Sequence, residues 1–132
     1  MLAGLGIDIA RVERFKNGYE RWGERFLERL FHVEERRRPL SLERWAGRFA
    51  AKEAVMKSLG VGLGSLSWHD IRILRTGSGQ PQVTLHGRAL GESRRRGIGH
   101  IHLSLSHERD HVVAVAVAMS HAPVEEDQRC KS

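Results

Sequence analysis

The sequence predicts an α+β domain in which a mainly antiparallel sheet packs against one long helix. Strand-like alternation occurs at both ends of the chain, in LAGLGIDIA (2–10) and in HIHLSLSH (100–107) followed by HVVAVAVAM (111–119). Between these ends lies a block whose apolar residues recur every three or four positions, the period of a helix. Only ERD (108–110) separates the last two alternating runs, so they read as a hairpin and not as a crossover unit.

In the first run Leu5, Ile7 and Ile9 fall on one side, and Gly4, Gly6, Asp8 and Ala10 on the other. Asp8 therefore projects from a face made of the smallest residues, with room for something to approach. From Arg11 to Phe31 the spacing of Val12, Phe15, Tyr19, Trp22, Phe26 and Leu30 predicts a basic amphipathic helical region, with kinks or breaks at Gly18 and Gly23. Pro39 stops that region. Ser41 and Glu43 mark the start of a helix over 42–59 that Gly60 closes. Within it Trp45, Phe49, Met56 and Leu59 fall inside about 80° of arc, with Lys52 in the middle of the apolar stripe and Glu53 at its edge.

Beyond Gly60, VGLGS reads as a flexible turn, and DIRIL and QVTLH as short strands joined through Gly77, Gly79 and Pro81. ALGESRRR reads as a helix, the hairpin follows, and the chain turns polar after Met119. The expected organisation is a single domain over 1–119 and a polar tail over 120–132. At 132 residues one modest core is the limit, and an apolar fraction of 40% makes self-association a natural way to bury more surface.

A formal net charge of +6, mostly arginine, points to an anionic partner: nucleic acid, membrane surface, phosphorylated cofactor or acidic protein. A single cysteine, Cys130, excludes an internal disulfide framework. Neither a secretion signal nor a membrane-spanning run is visible, so a cytoplasmic protein without membrane attachment is expected.

Two carboxylates, Asp8 on a strand and Glu53 on a helix that packs against it, suit a hard divalent cation such as Mg²⁺. The alternative reading has Asp8 capping the next helix and Glu53 pairing with Lys57. Arg48, Lys52 and Lys57 set three cations around one helix, and Gly62 and Gly64 could let backbone approach a ligand's phosphates. A helix C-terminus repels anions, so the cations would supply the attraction. Ser104, Ser106 and His107 could donate to phosphate oxygens, and zinc held by His100 and His102 with His107 or His111 lacks supporting cysteines or ligand spacing. The arginine runs 36–38 and 94–96 read as solvated charge. A basic nucleic-acid-binding module is the competing function, but interleaved aromatics, a zinc framework and a recognition helix are all missing from the sequence.

Taken together, GIDIARVERF, RFAAKEAVMKSLGVGLG, DIRI with GSGQPQVTLHGRA, and SLSHERDHVVAVAVA resemble the holo-acyl-carrier-protein synthase family of 4′-phosphopantetheinyl transferases, in order and across nearly the whole chain. The resemblance implies transfer of the 4′-phosphopantetheine arm from coenzyme A to a serine of an apo acyl carrier protein, with Mg²⁺, releasing adenosine 3′,5′-bisphosphate. It also implies a homotrimer with active sites between subunits, and a carrier serving fatty-acid, polyketide or peptide synthesis. By position it makes Asp8 and Glu53 metal ligands, and Lys57 a neighbour of the reacting phosphates. Arg48 and His107 come near cofactor phosphate, with Arg48 at the 3′-phosphate, and Gly62 and Gly64 line the cofactor. Arg14 matches a carrier-docking position, which Arg21 and Arg25 extend along the same helix. Glu53 is the expected proton acceptor, directly or through a water, and Lys52 is expected in the cationic set or at a subunit contact. The chain departs from the family pattern at ARV after GIDI and at Glu108, where an aspartate stands in some relatives.

Overall fold

A computed structural model describes residues 1–62 and 64–121. Strand β1 (Leu2–Arg11) leads into helices α1 (Val12–Trp22) and α2 (Glu24–Leu30), a 3₁₀ turn at Val33–Arg36, and helix α3 (Leu42–Ser58). A second 3₁₀ turn (Trp68–Asp70) precedes strands β2 (Ile71–Arg75) and β3 (Pro81–Leu85), helix α4 (Gly87–Arg95), and strands β4 (Ile98–Glu108) and β5 (His111–Ser120). All strand pairs are antiparallel: one sheet has the order β1-β5-β4, and β2 and β3 form a second.

The three-stranded sheet turns its small side chains inward. Gly6, Ala116 and Leu103 form one cross-strand row, and Asp8, Ala114 and Leu105 the next. Ala114, Ala116 and Ala118 of β5 meet Ala50, Ala51 and Ala54 of α3, all without exposure, so helix and sheet come unusually close. A Cβ at Gly6 would lie 1.9 Å from the Ala54 carbonyl oxygen, and one at Gly4 1.9 Å from that of Ser58. The room that the small face of β1 leaves is filled by α3. The apolar side is the open one, with Leu5, Ile7 and Ile9 each about 60% exposed.

A second cluster joins Phe15 of α1, Leu27 and Leu30 of α2, Phe31, and Trp45 and Ala46 of α3. Helix α1 runs unbroken through Gly18, contrary to the expected kink there: a side chain at 18 would lie 2.6 Å from the Phe26 ring, so this glycine makes room for α2. The break comes at Gly23, whose φ of +62° turns the chain. The Ser41 hydroxyl accepts from the Arg44 N–H at 3.3 Å and starts α3 as the sequence predicts. Residues 122–132, with Cys130, lie outside the described part, and among described residues no helix is long and apolar enough to cross a membrane.

Candidate active site

Two residues beyond Gly6, on the same face of β1, Asp8 comes up against α3. Lys57 Nζ donates to Asp8 Oδ1 at 3.2 Å and to the Ile7 carbonyl at 2.9 Å. Glu53, one turn earlier on α3, is half-buried. Burial pushes its carboxyl pKa up, the charge of Asp8 pushes it further, and Lys57 and Arg14 pull it down. Asp8, Glu53, Lys57 and Arg14 thus share one corner between β1, α1 and α3. The alternative arrangement does not occur, since Arg11 caps α1 with no side-chain bond and Lys57 bonds Asp8.

The donor set of this corner fits a hard divalent cation. Two carboxylates approach each other here, and burial together with the neighbouring Asp8 penalises the charged form of Glu53, which a cation between them would relieve. Among the described residues no three His, Cys, Asp or Glu side chains gather in a metal-holding group, so such an ion would fill its sphere with water and phosphate oxygens.

On the far side of α3 lies a basic cleft. Arg44, Arg48, Arg75 and His107 help to line a space of about 300 Å³. It adjoins a second space of about 760 Å³ that Arg37 and Arg38 enter together with Arg44, Arg48 and Arg75. The Arg48 guanidinium donates through Nη1 to the Ile73 carbonyl, and burial lowers its pKa. Arg37 and Arg38 are therefore part of a cleft wall, where the sequence suggests plain solvated charge. Sequence reasoning missed Arg44 and Arg75 as well; the run RRRP is the only signal for Arg37 and Arg38, and it has no periodicity to orient it. In the other run, Arg95 and Arg96 bond Glu92.

Lys52 belongs to neither role that the sequence suggests for it. It is fully buried and donates to Glu35 Oε1 at 2.6 Å and to the carbonyls of Leu30 and Trp68 at 2.9 and 2.8 Å. Burial pushes its pKa down to about 8 against the pull of Glu35, which leaves it charged at neutral pH with an acceptor for each N–H. His100 and His102 meet edge to face on the open face of β4 with ring centroids 4.3 Å apart, while His107 faces Gly47 of α3 on the other side, so the three do not converge. Arg14 and Arg21 are exposed on α1, but Arg25 lies on α2, because Gly23 ends the first helix before it. Gly62 and Gly64 are exposed in the loop after α3, and Glu108 is exposed at the end of β4.

Residues 4–116 match the model of the 4′-phosphopantetheinyl transferase superfamily. The chain is 46% identical over 123 residues to the holo-[acyl-carrier-protein] synthase of Desulforudis audaxviator, covering 90% of this chain and 94% of that one. It is 40% identical over 124 residues to the synthase of Natranaerobius thermophilus, covering 91% and 99%. Among solved structures, the holo-[acyl-carrier-protein] synthase of Neisseria meningitidis superposes with a TM-score of 0.81 at 33% identity, covering 91% of this chain and all of that one. The Helicobacter pylori synthase in complex with coenzyme A gives 0.76 at 32% identity, covering 87% and 99%. With most of its length matched in sequence and in fold, the chain belongs to the holo-acyl-carrier-protein synthase family of 4′-phosphopantetheinyl transferases.

Proposed function

We propose that this protein moves the 4′-phosphopantetheine arm of coenzyme A onto a serine of an apo acyl carrier protein, using Mg²⁺ held by Asp8 and Glu53. The observation that carries the reading is the corner in which these two carboxylates meet beside Lys57, with the carboxyl of Glu53 raised by burial and by Asp8. Carboxylates crowded in this way favour a bound cation, and a cation-rich setting is what a pyrophosphate needs.

In this reading the serine oxygen attacks the β-phosphorus of coenzyme A. A new P–O bond to serine forms as the bond to the bridging oxygen breaks, and adenosine 3′,5′-bisphosphate departs with that oxygen. Bound Mg²⁺ would supply positive charge against the pyrophosphate oxygens. Glu53 accepts the serine proton, directly or through a water. Lys57, with its ammonium already at this corner, neutralises charge on the reacting phosphates. Arg48 and His107 hold the 3′-phosphate end in the basic cleft, Gly62 and Gly64 let the backbone run close to the cofactor, and Arg14, Arg21 and Arg25 attract the acidic carrier.

The two halves of this site lie apart within one subunit. Asp8 stands on edge strand β1 and His107 on edge strand β4, with β5 between them, about 10 Å across the sheet. The open face of Leu5, Ile7 and Ile9, flanked by half-buried Val113, Val115 and Val117, supports assembly with further copies. A homotrimer whose sites combine the carboxylate corner of one copy with the basic cleft of the next accounts for both features.

Mass spectrometry of apo carrier mixed with enzyme, coenzyme A and Mg²⁺ tests the reading, with the phosphopantetheine mass appearing on the carrier. Asp8→Ala and Glu53→Ala should each lower turnover by at least about 10²-fold with circular dichroism unchanged. Near-normal turnover in both variants would show that the metal is held elsewhere.

A further inference from the structure

The carboxylate of Glu35 sits at the meeting point of three elements beneath the basic cleft. Its side chain is fully buried. One oxygen, Oε1, accepts from Lys52 Nζ of α3 at 2.6 Å and from the His32 N–H at 2.9 Å, closing the reciprocal cap of the 3₁₀ turn that leads to Arg37 and Arg38. The other, Oε2, accepts from the Ile73 N–H of β2 at 3.1 Å. In an antiparallel strand the N–H and C=O of one residue point to the same side. Those of Ile73 point away from β3, the N–H to Glu35 and the C=O to the Arg48 guanidinium. Edge strand β2 is thus gripped by a carboxylate and a guanidinium in place of a further strand.

Arg48 is therefore anchored to a residue whose N–H Glu35 holds, while Lys52 holds Glu35. A guanidinium anchored through Nη1 keeps its remaining N–H groups in a fixed plane, and a phosphate is read best by such a pre-oriented fork. We propose that Glu35 is a positioning residue for coenzyme A: through the backbone of Ile73 it sets the direction of Arg48, and through the 3₁₀ turn it sets the wall carrying Arg37 and Arg38. This rests on the reading that Arg48 faces the 3′-phosphate.

The test compares coenzyme A with 3′-dephospho-coenzyme A at fixed apo carrier, measuring kcat and KM for each. Arg48→Ala should abolish the preference for the 3′-phosphate. In Glu35→Gln the amide nitrogen meets either the Ile73 N–H or the Lys52 ammonium, donor against donor. The KM for coenzyme A should then rise by about tenfold or more with kcat little changed, while the KM for the dephospho form stays near wild type. Adding Glu35→Gln to Arg48→Ala should not change the preference further, as expected of two residues acting in series. Leu27→Ala, which loosens the neighbouring core without touching the relay, should leave the preference intact. If Glu35→Gln does not fold, Glu35→Gln with Lys52→Met carries the same test without a lone buried charge. A folded Glu35 variant that keeps the wild-type preference overturns the proposal. If Arg48→Ala keeps it too, the assignment of the 3′-phosphate to Arg48 fails first.

Discussion

Lys52 shows how far single residues can be read. Its place in the apolar stripe of α3 is visible from spacing, but its partner is one glutamate in the run VEERRR, which no periodicity singles out. The burial of that glutamate depends on the turn between two helices, and so on tertiary structure. Lys52→Met leaves Glu35 charged and unpaired in the interior and should cost about 3–5 kcal/mol in urea unfolding, whereas Lys52→Met with Glu35→Gln should cost clearly less. The approach of the two carboxylates was more legible, because Asp8 and Glu53 sit on strongly periodic elements whose packing could be expected. A glycine sets their approach. Gly6→Ala drives a methyl into the Ala54 carbonyl, so it should cost about 3 kcal/mol and lower turnover by displacing Asp8, as paired denaturation and transfer assays would show.

At the scale of elements, the sequence marks helix and strand well and faces less well. The start of α3 at Ser41 and the hairpin between β4 and β5 lie where the residues indicate. Alternation in β1 separates its two faces but does not say which is inside, because a small-residue face can serve either as an opening or as a seat for a helix. Gly18 gives a similar lesson, being small for the sake of Phe26 and not for a bend. Helix α4 offers a prediction about pH. Hydrogen bonds from Arg95 and then Arg96 hold the Glu92 carboxyl down to about 2 from an ordinary 4.5. A depressed carboxyl contributes stability above its unfolded value and loses it as pH falls through the folded one. Glu92→Gln should therefore flatten the acid limb of stability between about 4.5 and 2, a small effect because the group is exposed, read from Tm against pH.

For the whole molecule, the overall α+β plan was legible, while the arginine cleft was not, since its five guanidinia come from three separate segments that only the folded chain unites. The open apolar face carries the remaining prediction. Ile7→Asp points away from α3 and should leave the subunit folded, yet a charge there opposes assembly, so sedimentation should show a smaller species and the transfer assay a matching loss. Pairing of β1 with β5 also bears on how the protein is made: Ile7 sits opposite Val115, and the Ser120 N–H reaches the Met1 carbonyl. While the ribosome is still adding the second half, β1 lacks its strand partner and only α3 is there to hold Asp8. Competence therefore waits for β5 to emerge, at the slow pace expected when segments far apart in sequence must find each other, and a transcript cut short before β5 yields nothing functional.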